Sequence, residues 1–155
     1  MSKRLDSKLE ATGAEHMVLG HLLLEGIQSF MAPVNQRDYD IVATNPEQGH
    51  SCRVQVKSRW ATDANRSFPI SKLDTDFVVC ALLNRGYRYS KRKMALGSGK
   101  QAPEFFVLPI AVVKAHHRPG SMSVLRIREV PDYAQYLDRW DLIAAYLQMA
   151  NKSAG

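Results

Sequence analysis

Cysteines and long apolar runs are both scarce in this chain. Only two of its 155 residues are cysteines, Cys52 and Cys80, and no apolar run approaches the roughly 20 residues that span a bilayer. Neither cysteine has the CxxC spacing of a zinc site, and each lies in an apolar, strand-like run. We therefore expect two reduced, buried thiols in a cytoplasmic protein with no membrane partner, and the N-terminus also lacks the apolar core of a secretory signal.

Acidic residues are absent from residues 84–103, although the chain as a whole carries 15 of them. This basic segment contains six basic residues, which equal the formal net charge of +6. It is either a solvated surface loop or a loop that contacts nucleic acid, and both interpretations stay open. Clustered cations favour the second, because they release counterions when they meet phosphates. The candidate nucleic-acid contacts here are Arg85, Arg88, Lys91, Arg92, Lys93 and Lys100.

Hydrophobic periodicity predicts a single α/β (or α+β) domain over residues 1–155, with a mixed central sheet flanked by helices. Helical spacing covers residues 8–29 with Gly26 as a C-terminal stop, and residues 27–30 also suit a strand or connector. The predicted order is αβββαβ with a C-terminal helix. The other expected bounds are a hairpin of strands at 39–44 and 51–60, strands at 76–83, 104–108 and 123–128, and helices at 110–117 and 132–150, with 61–71 irregular.

The second predicted strand carries a polar face. Because side chains alternate along a strand, Gln55 and Lys57 share one face while the neighbouring valines lie on the other. An acid from the preceding strand would join them. Asp40 directly abuts its apolar run and is favoured, while Asp38 has the same parity and remains the alternative. Arg59 keeps the parity of Lys57 and is a further candidate phosphate contact.

These residue types suit hydrolysis of a phosphodiester with a hard cation such as Mg²⁺ or Mn²⁺. Asp40 offers a carboxylate, Gln55 an amide oxygen and Val56 a backbone carbonyl as metal ligands. Lys57 would hold the attacking water or the charge of the transition state, and Glu15 on the first helix would assist. Each has a plainer explanation, since Lys57 alone suits an edge-strand lysine and Glu15 alone suits a solvated acid.

The pattern of these residues along the chain resembles the PD-(D/E)XK nuclease superfamily. It is most similar to the branch of Holliday-junction-resolvase-like and group-I-intron-associated endonucleases. The resemblance covers roughly residues 8–113 and rests on Gly13-Ala14-Glu15, Leu22-Leu23-Leu24-Glu25-Gly26, Arg37-Asp38-Tyr39-Asp40-Ile41-Val42, Val54-Gln55-Val56-Lys57-Ser58, Asp76-Phe77-Val78-Val79 and Phe105-Phe106-Val107-Leu108-Pro109. It implies a restriction-endonuclease-like fold and branched or duplex DNA as the partner.

The resemblance also implies roles for four residues. Glu15 corresponds to the glutamate of the first helix and Asp40 to the metal-binding aspartate. Gln55 stands where the motif has its acid, and Lys57 is the lysine of the motif. An amide at that position still offers an oxygen, but it removes one negative charge from the metal site. The sequence therefore predicts a metal-dependent DNA endonuclease, which would need a homodimer or two visits to cut both strands. It leaves open a catalytically weak or inactive nucleic-acid-binding module on the same fold, and an assembly subunit whose exposed apolar surface matters more than any site.

Overall fold

The computed structural model describes residues 6–36, 38–87, 99–120 and 123–149, which contain three α-helices and seven strands. The helices are α1 (Ser7–Leu24), α2 (Ile110–His116) and α3 (Asp141–Met149). The strands are β1 (Gln28–Met31), β2 (Ile41–Asn45), β3 (His50–Arg59), β4 (Ser67–Pro69), β5 (Phe77–Leu82), β6 (Glu104–Pro109) and β7 (Val124–Arg126).

A mixed five-stranded sheet with the order β1-β2-β3-β5-β6 forms the centre of the fold. β3 and β5 run parallel, while the other neighbouring strands of this sheet are antiparallel. β4 and β7 pair separately as a two-stranded antiparallel ribbon. The predicted mixed sheet with flanking helices is confirmed, as is the β2–β3 hairpin. β3, which carries the predicted polar face, lies in the middle of the sheet.

α1 packs on the sheet through a stripe of residues spaced by four positions. Ala14, Val18 and Leu22 are buried, because residues at this spacing lie on one face of a helix. The chain turns away from the helix at Gly26, which has a left-handed φ of 79° and donates its N–H back to the last turn. The next amide, that of Ile27, donates to the Leu22 carbonyl at 2.9 Å. Glu15 follows Ala14 in α1 and is half-buried, at the edge of this buried stripe.

The two faces of the sheet support separate apolar clusters. Val54 and Val56 belong to the cluster that also contains the buried residues of α1 and α3. Gln55 pairs with Val78 of β5, and Val78 belongs to the other cluster, beneath α2 and the β4–β7 ribbon. Gln55 and Lys57 therefore share the second face, as the alternation predicted.

Both cysteines are free and buried, as expected from the sequence. Burial raises the pKa of the Cys80 thiol to about 12, and burial also raises the pKa of Cys52. Burial thus favours the protonated thiol at both positions, which is the less reactive form of cysteine.

Two short strands bear on the predicted order of elements. α1 ends at Leu24, close to the expected stop at Gly26, and β1 confirms the alternative of a strand at residues 27–30. Residues 61–71, expected to be irregular, contain β4, in which only Phe68 is buried. Strands of three or four residues show too few alternations to be distinguished from a connector.

The C-terminal part of the chain also differs from the prediction. The strand expected at 123–128 is shortened to β7 and joins β4 instead of the central sheet. The helix expected over 132–150 begins only at Asp141, after a single 3₁₀ turn. Asp132 and Asp138 have left-handed φ values of 52° and 53°, which interrupt a right-handed helix. Within the described parts of the chain, no helix combines the length and the apolar character needed to cross a membrane.

Candidate active site

The candidate site forms where β2 leaves β3. β2 pairs only with the first half of β3, up to Val54, so the following N–H groups on that side need other partners. The N–H of Val56 donates to Oδ2 of Asp40 at 2.8 Å, and the Asp40 N–H donates to the Val54 carbonyl at 2.9 Å. Because the N–H and C=O of one strand residue point to the same side, the Val56 carbonyl faces this side too.

Gln55 lies beside Asp40 and is only 5% exposed. Its Nε2 donates to the backbone carbonyl of Asp38 at 3.2 Å, which fixes the orientation of the amide. Its Oε1 is buried and accepts no hydrogen bond from any residue that the structure describes. A buried acceptor without a partner is costly, and a cation or an ordered donor at this point would remove that cost.

The side chains of the two candidate aspartates have different partners. Oδ1 of Asp38 lies 3.3 Å from Nζ of Lys72, at the surface. The Asp40 carboxylate is instead turned onto β3. Of the two aspartates, Asp40 is the one that directs its carboxylate toward the backbone beside Gln55, so the geometry favours Asp40 as the candidate ligand.

Glu15 reaches the same place from α1, where its side chain shares a hydrogen bond with Asp40. Partial burial and the nearby Asp40 charge raise the pKa of Glu15 from its ordinary 4.5 to about 6. Burial also raises the pKa of Asp40, although the Val56 N–H and the Lys57 ammonium act against that rise. The pKa values of both carboxyl groups are therefore raised where Glu15 and Asp40 meet.

The Glu15–Asp40 pair predicts a stability that depends on pH in metal-free protein. The folded-state pKa of Glu15 is raised, so its contribution is fully present below pH 4.5 and is lost as the pH rises through 6. Glu15→Gln keeps a neutral donor at every pH. In EDTA at pH 8 we expect this variant to be more stable than the wild type by about 1 kcal/mol, a value reduced for solvent screening. Thermal unfolding measures the difference, which should vanish at pH 4.5.

The control for that measurement is Glu47→Gln, because Glu47 is an exposed turn residue. It should leave the stability unchanged at both pH values. A Glu15→Gln variant that is less stable than the wild type at pH 8 would show that burial and the Asp40 charge do not destabilise the ionised Glu15.

Lys57 and Arg59 continue the polar face along β3. Lys57 is half-buried and lies close enough to Asp40 to lower the pKa of that carboxyl. β3 lies between β2 and β5, but β2 pairs with it only as far as Val54, so at Lys57 β3 is paired with β5 alone. Arg59 donates its Nε–H to the Ser67 carbonyl at 2.8 Å, and its guanidinium lies over the Phe68 ring. Arg59 is thereby held against β4.

The oxygen donors at this site suit a hard cation. Within residues 6–36, 38–87, 99–120 and 123–149, no three His, Cys, Asp or Glu side chains are grouped to hold a metal ion. The site offers two carboxylates, the buried Gln55 Oε1 and the Val56 carbonyl. Carboxylate, amide and carbonyl oxygens are preferred by Mg²⁺ and Mn²⁺, whereas structural zinc sites use sulfur and nitrogen. The residues present therefore fit a single Mg²⁺ or Mn²⁺.

The basic segment is described only at its two ends. Arg85 and Lys100 are exposed there, whereas Arg88, Lys91, Arg92 and Lys93 lie outside the described residues. The Thr62 hydroxyl joins the two ends, since it donates to the Gly99 carbonyl at 2.7 Å and accepts the Gly86 N–H at 3.1 Å. Arg85 and Lys100 are thus anchored near each other, beyond the end of β3.

Comparison with protein families shows the family to which the chain belongs. Residues 5–145 match the family model described as PD-(D/E)XK endonuclease. The chain belongs to the PD-(D/E)XK endonuclease family. Fifteen chains of known structure also match, among them that of "a bacterial homing endonuclease", I-Ssp6803I, with a TM-score of 0.63 and 22% identity over 97% of this chain and 100% of that one. At this identity the likeness shows a shared fold. No curated protein gives a significant match.

As a PD-(D/E)XK endonuclease family member, the chain brings together Glu15, Asp40, Gln55 and Lys57, as its sequence predicted. No pattern in the sequence singles out Thr62, whose role in joining the basic segment depends on tertiary structure. Sequence reasoning also overlooked Arg66, Arg126 and Arg128, which lie around the β4–β7 ribbon. The alternation of Arg126 and Arg128 with apolar residues was the one available signal.

Proposed function

We propose that this chain is a DNA endonuclease that hydrolyses phosphodiester bonds with the help of one Mg²⁺ or Mn²⁺ ion. The proposal rests above all on one observation, the buried Gln55 Oε1 without a partner beside the Asp40 carboxylate. Membership of an endonuclease family supports the same reaction class.

The cation would be held by Asp40, the Gln55 amide oxygen and the Val56 carbonyl, with Glu15 as a further carboxylate nearby. When bound, it would neutralise charge on the scissile phosphate. The amide at position 55 supplies one negative charge fewer than the family's acid, so affinity should be lower and a second cation is disfavoured. Because the pKa of Glu15 is raised, cation binding at a pH below about 6 would release a proton from this carboxyl.

Lys57 supplies the positive charge of the protein itself. Its ammonium shares a face with Gln55 and interacts with Asp40, so it would donate hydrogen bonds to the attacking water or to a phosphoryl oxygen that gains charge.

DNA is the proposed substrate, and two chains would be needed to cut both strands with one site each. The exposed Arg85 and Lys100, with the rest of the basic segment, would contact phosphates. The fold shared with a homing endonuclease is consistent with DNA as the substrate class.

A second function, DNA binding without cleavage, is favoured by the composition of the site itself. Among the described residues two carboxylates converge there, and the pKa of Glu15 is raised. If the Gln55 amide cannot bind a cation, the chain would bind DNA through its basic residues without cleaving it.

Cleavage of supercoiled plasmid and branched DNA separates the two functions. The wild type should cut in Mg²⁺ or Mn²⁺ and be inactive in EDTA. Lys57→Met should lower the single-turnover rate by about 10²-fold, because a donor to the developing charge is removed from a water-poor site. Lys72→Met removes the same charge from the ion pair with Asp38 and should leave the rate unchanged. Tight, salt-sensitive DNA binding with no cleavage in either cation would establish the second function instead.

A further inference from the structure

The β4–β7 ribbon carries arginines on its solvent side. Ser67 pairs with Arg126, whereas Phe68 and Leu125 pair on the opposite side and are fully buried in the second apolar cluster. The ribbon is therefore fixed to the body of the protein by its inner face, and the outer face projects the Arg126 side chain, which is 54% exposed. Arg128 follows on the adjoining 3₁₀ turn and is exposed as well.

An open cavity of about 530 Å³ lies at the end of this ribbon. Arg66, Arg126 and Arg128 contribute to its lining, together with the turn that precedes β4. Nη1 of Arg66 also lies 3.5 Å from Oε2 of Glu104. A neighbouring cavity of about 470 Å³ is lined by Arg59 and by the same turn, residues 63–65. The two cavities are thus adjacent, separated only by that turn.

The lining of the two cavities has an excess of positive charge. It contains four arginines and two acids, Asp63 and Glu129. Arg118, which lies outside the cavities, holds Glu129 with two hydrogen bonds of 2.7 and 3.1 Å. Nη1 of Arg126 lies farther from the same carboxylate, at 3.5 Å from Oε1 of Glu129. Arg128 has no acidic partner within the described residues, so its charge is available to a ligand.

This charge is continuous with the candidate active site. Arg59 and Lys57 project from the same face of β3, and two residues of a strand span roughly 6.6–6.8 Å. Arg59 in turn is bonded to the Ser67 carbonyl, where β4 begins. A row of cations therefore leads from Lys57 through Arg59 to the ribbon. Its planar guanidinium groups suit bidentate contacts with phosphate.

We propose that the β4–β7 ribbon is a second DNA-contacting surface, which holds the phosphate backbone on one side of the cleavage site through Arg66, Arg126 and Arg128. This inference rests on the proposed function for the identity of its ligand. The buried inner face holds the ribbon on the body of the protein, and Arg59 links it to β3. The ribbon would therefore set the register of the duplex relative to Lys57, because backbone contacts fix position without reading sequence.

The salt dependence of DNA binding tests the ribbon. Duplex DNA is titrated in EDTA, where no cleavage occurs, at several salt concentrations. The slope of log K against log[salt] should become shallower by about two in the double variant Arg126→Gln/Arg128→Gln and by about one in Arg128→Gln, since each phosphate contact contributes roughly 0.9. The matched control is Lys8→Gln/Arg139→Gln, which removes two surface charges elsewhere and should keep the wild-type slope.

The outcomes separate this inference from the nuclease assignment. A wild type that does not cleave, with a slope that still falls in the ribbon variants, would overturn the nuclease function and support the ribbon. A wild type that cleaves, with an unchanged slope in folded ribbon variants, would overturn the ribbon alone. An equal fall in the control variant, or no measurable DNA binding, would also overturn it. Thermal unfolding verifies that each variant is folded.

Discussion

Asp40→Asn is expected to lower the single-turnover rate of DNA cleavage by about 10³-fold, or about 4 kcal/mol of transition-state stabilisation. The change removes the negative charge that would hold the cation. It preserves an oxygen that can still accept the Val56 N–H, so the local backbone should be unaffected. The rate is measured at saturating DNA with Mg²⁺ or Mn²⁺.

The matched control is Asp38→Asn, two residues earlier and of the same parity. The Asp38 side chain faces Lys72, and only its backbone carbonyl touches Gln55. Because the substitution leaves that carbonyl in place, cleavage should stay within about threefold of the wild type. A large loss in Asp38→Asn with little loss in Asp40→Asn would move the ligand assignment to Asp38.

The elements that the sequence predicts well are those whose pattern repeats several times. β5 is an unbroken apolar run and is buried at all six positions, and α1 repeats its buried spacing through Leu22. β1 and β4 are too short to show a period, and their existence depends on partners elsewhere in the chain. Two left-handed aspartates shorten the last helix, and aspartate occurs too widely outside such positions to signal them.

The candidate site was predictable in its residue types but not in its contacts. Alternation alone put Gln55 and Lys57 on one face. The choice between Asp38 and Asp40 required the register of β2 on β3, because both have the same parity. The sequence does not predict the cluster of arginines at the ribbon. Arg66 and Arg126 are 60 positions apart, and they come to line one cavity only when β4 pairs with β7.

Gln55→Glu would restore the acid of the family motif, and we expect it to destabilise the metal-free protein by about 3 kcal/mol at pH 8. The buried carboxylate would lose the donor that now binds the Asp38 carbonyl at 3.2 Å. It would also add a negative charge beside Asp40. Thermal unfolding in EDTA measures this loss, and Gln48→Glu, in an exposed turn, is the control that should show none.

Adding Mn²⁺ should reverse the penalty in Gln55→Glu, because a cation that binds only the folded state stabilises it and a carboxylate binds it more strongly than an amide. We expect apparent Mn²⁺ affinity to rise about tenfold. Lowering the pH to about 4 should also remove the penalty without metal, since the introduced carboxyl, once protonated, can donate to the Asp38 carbonyl as the amide does. Gln55→Met, which lacks both polar atoms, should lose most of the Mn²⁺ stabilisation. If Mn²⁺ stabilises all three proteins equally, the side chain at position 55 is not a ligand, and the unpartnered Oε1 must be satisfied by water.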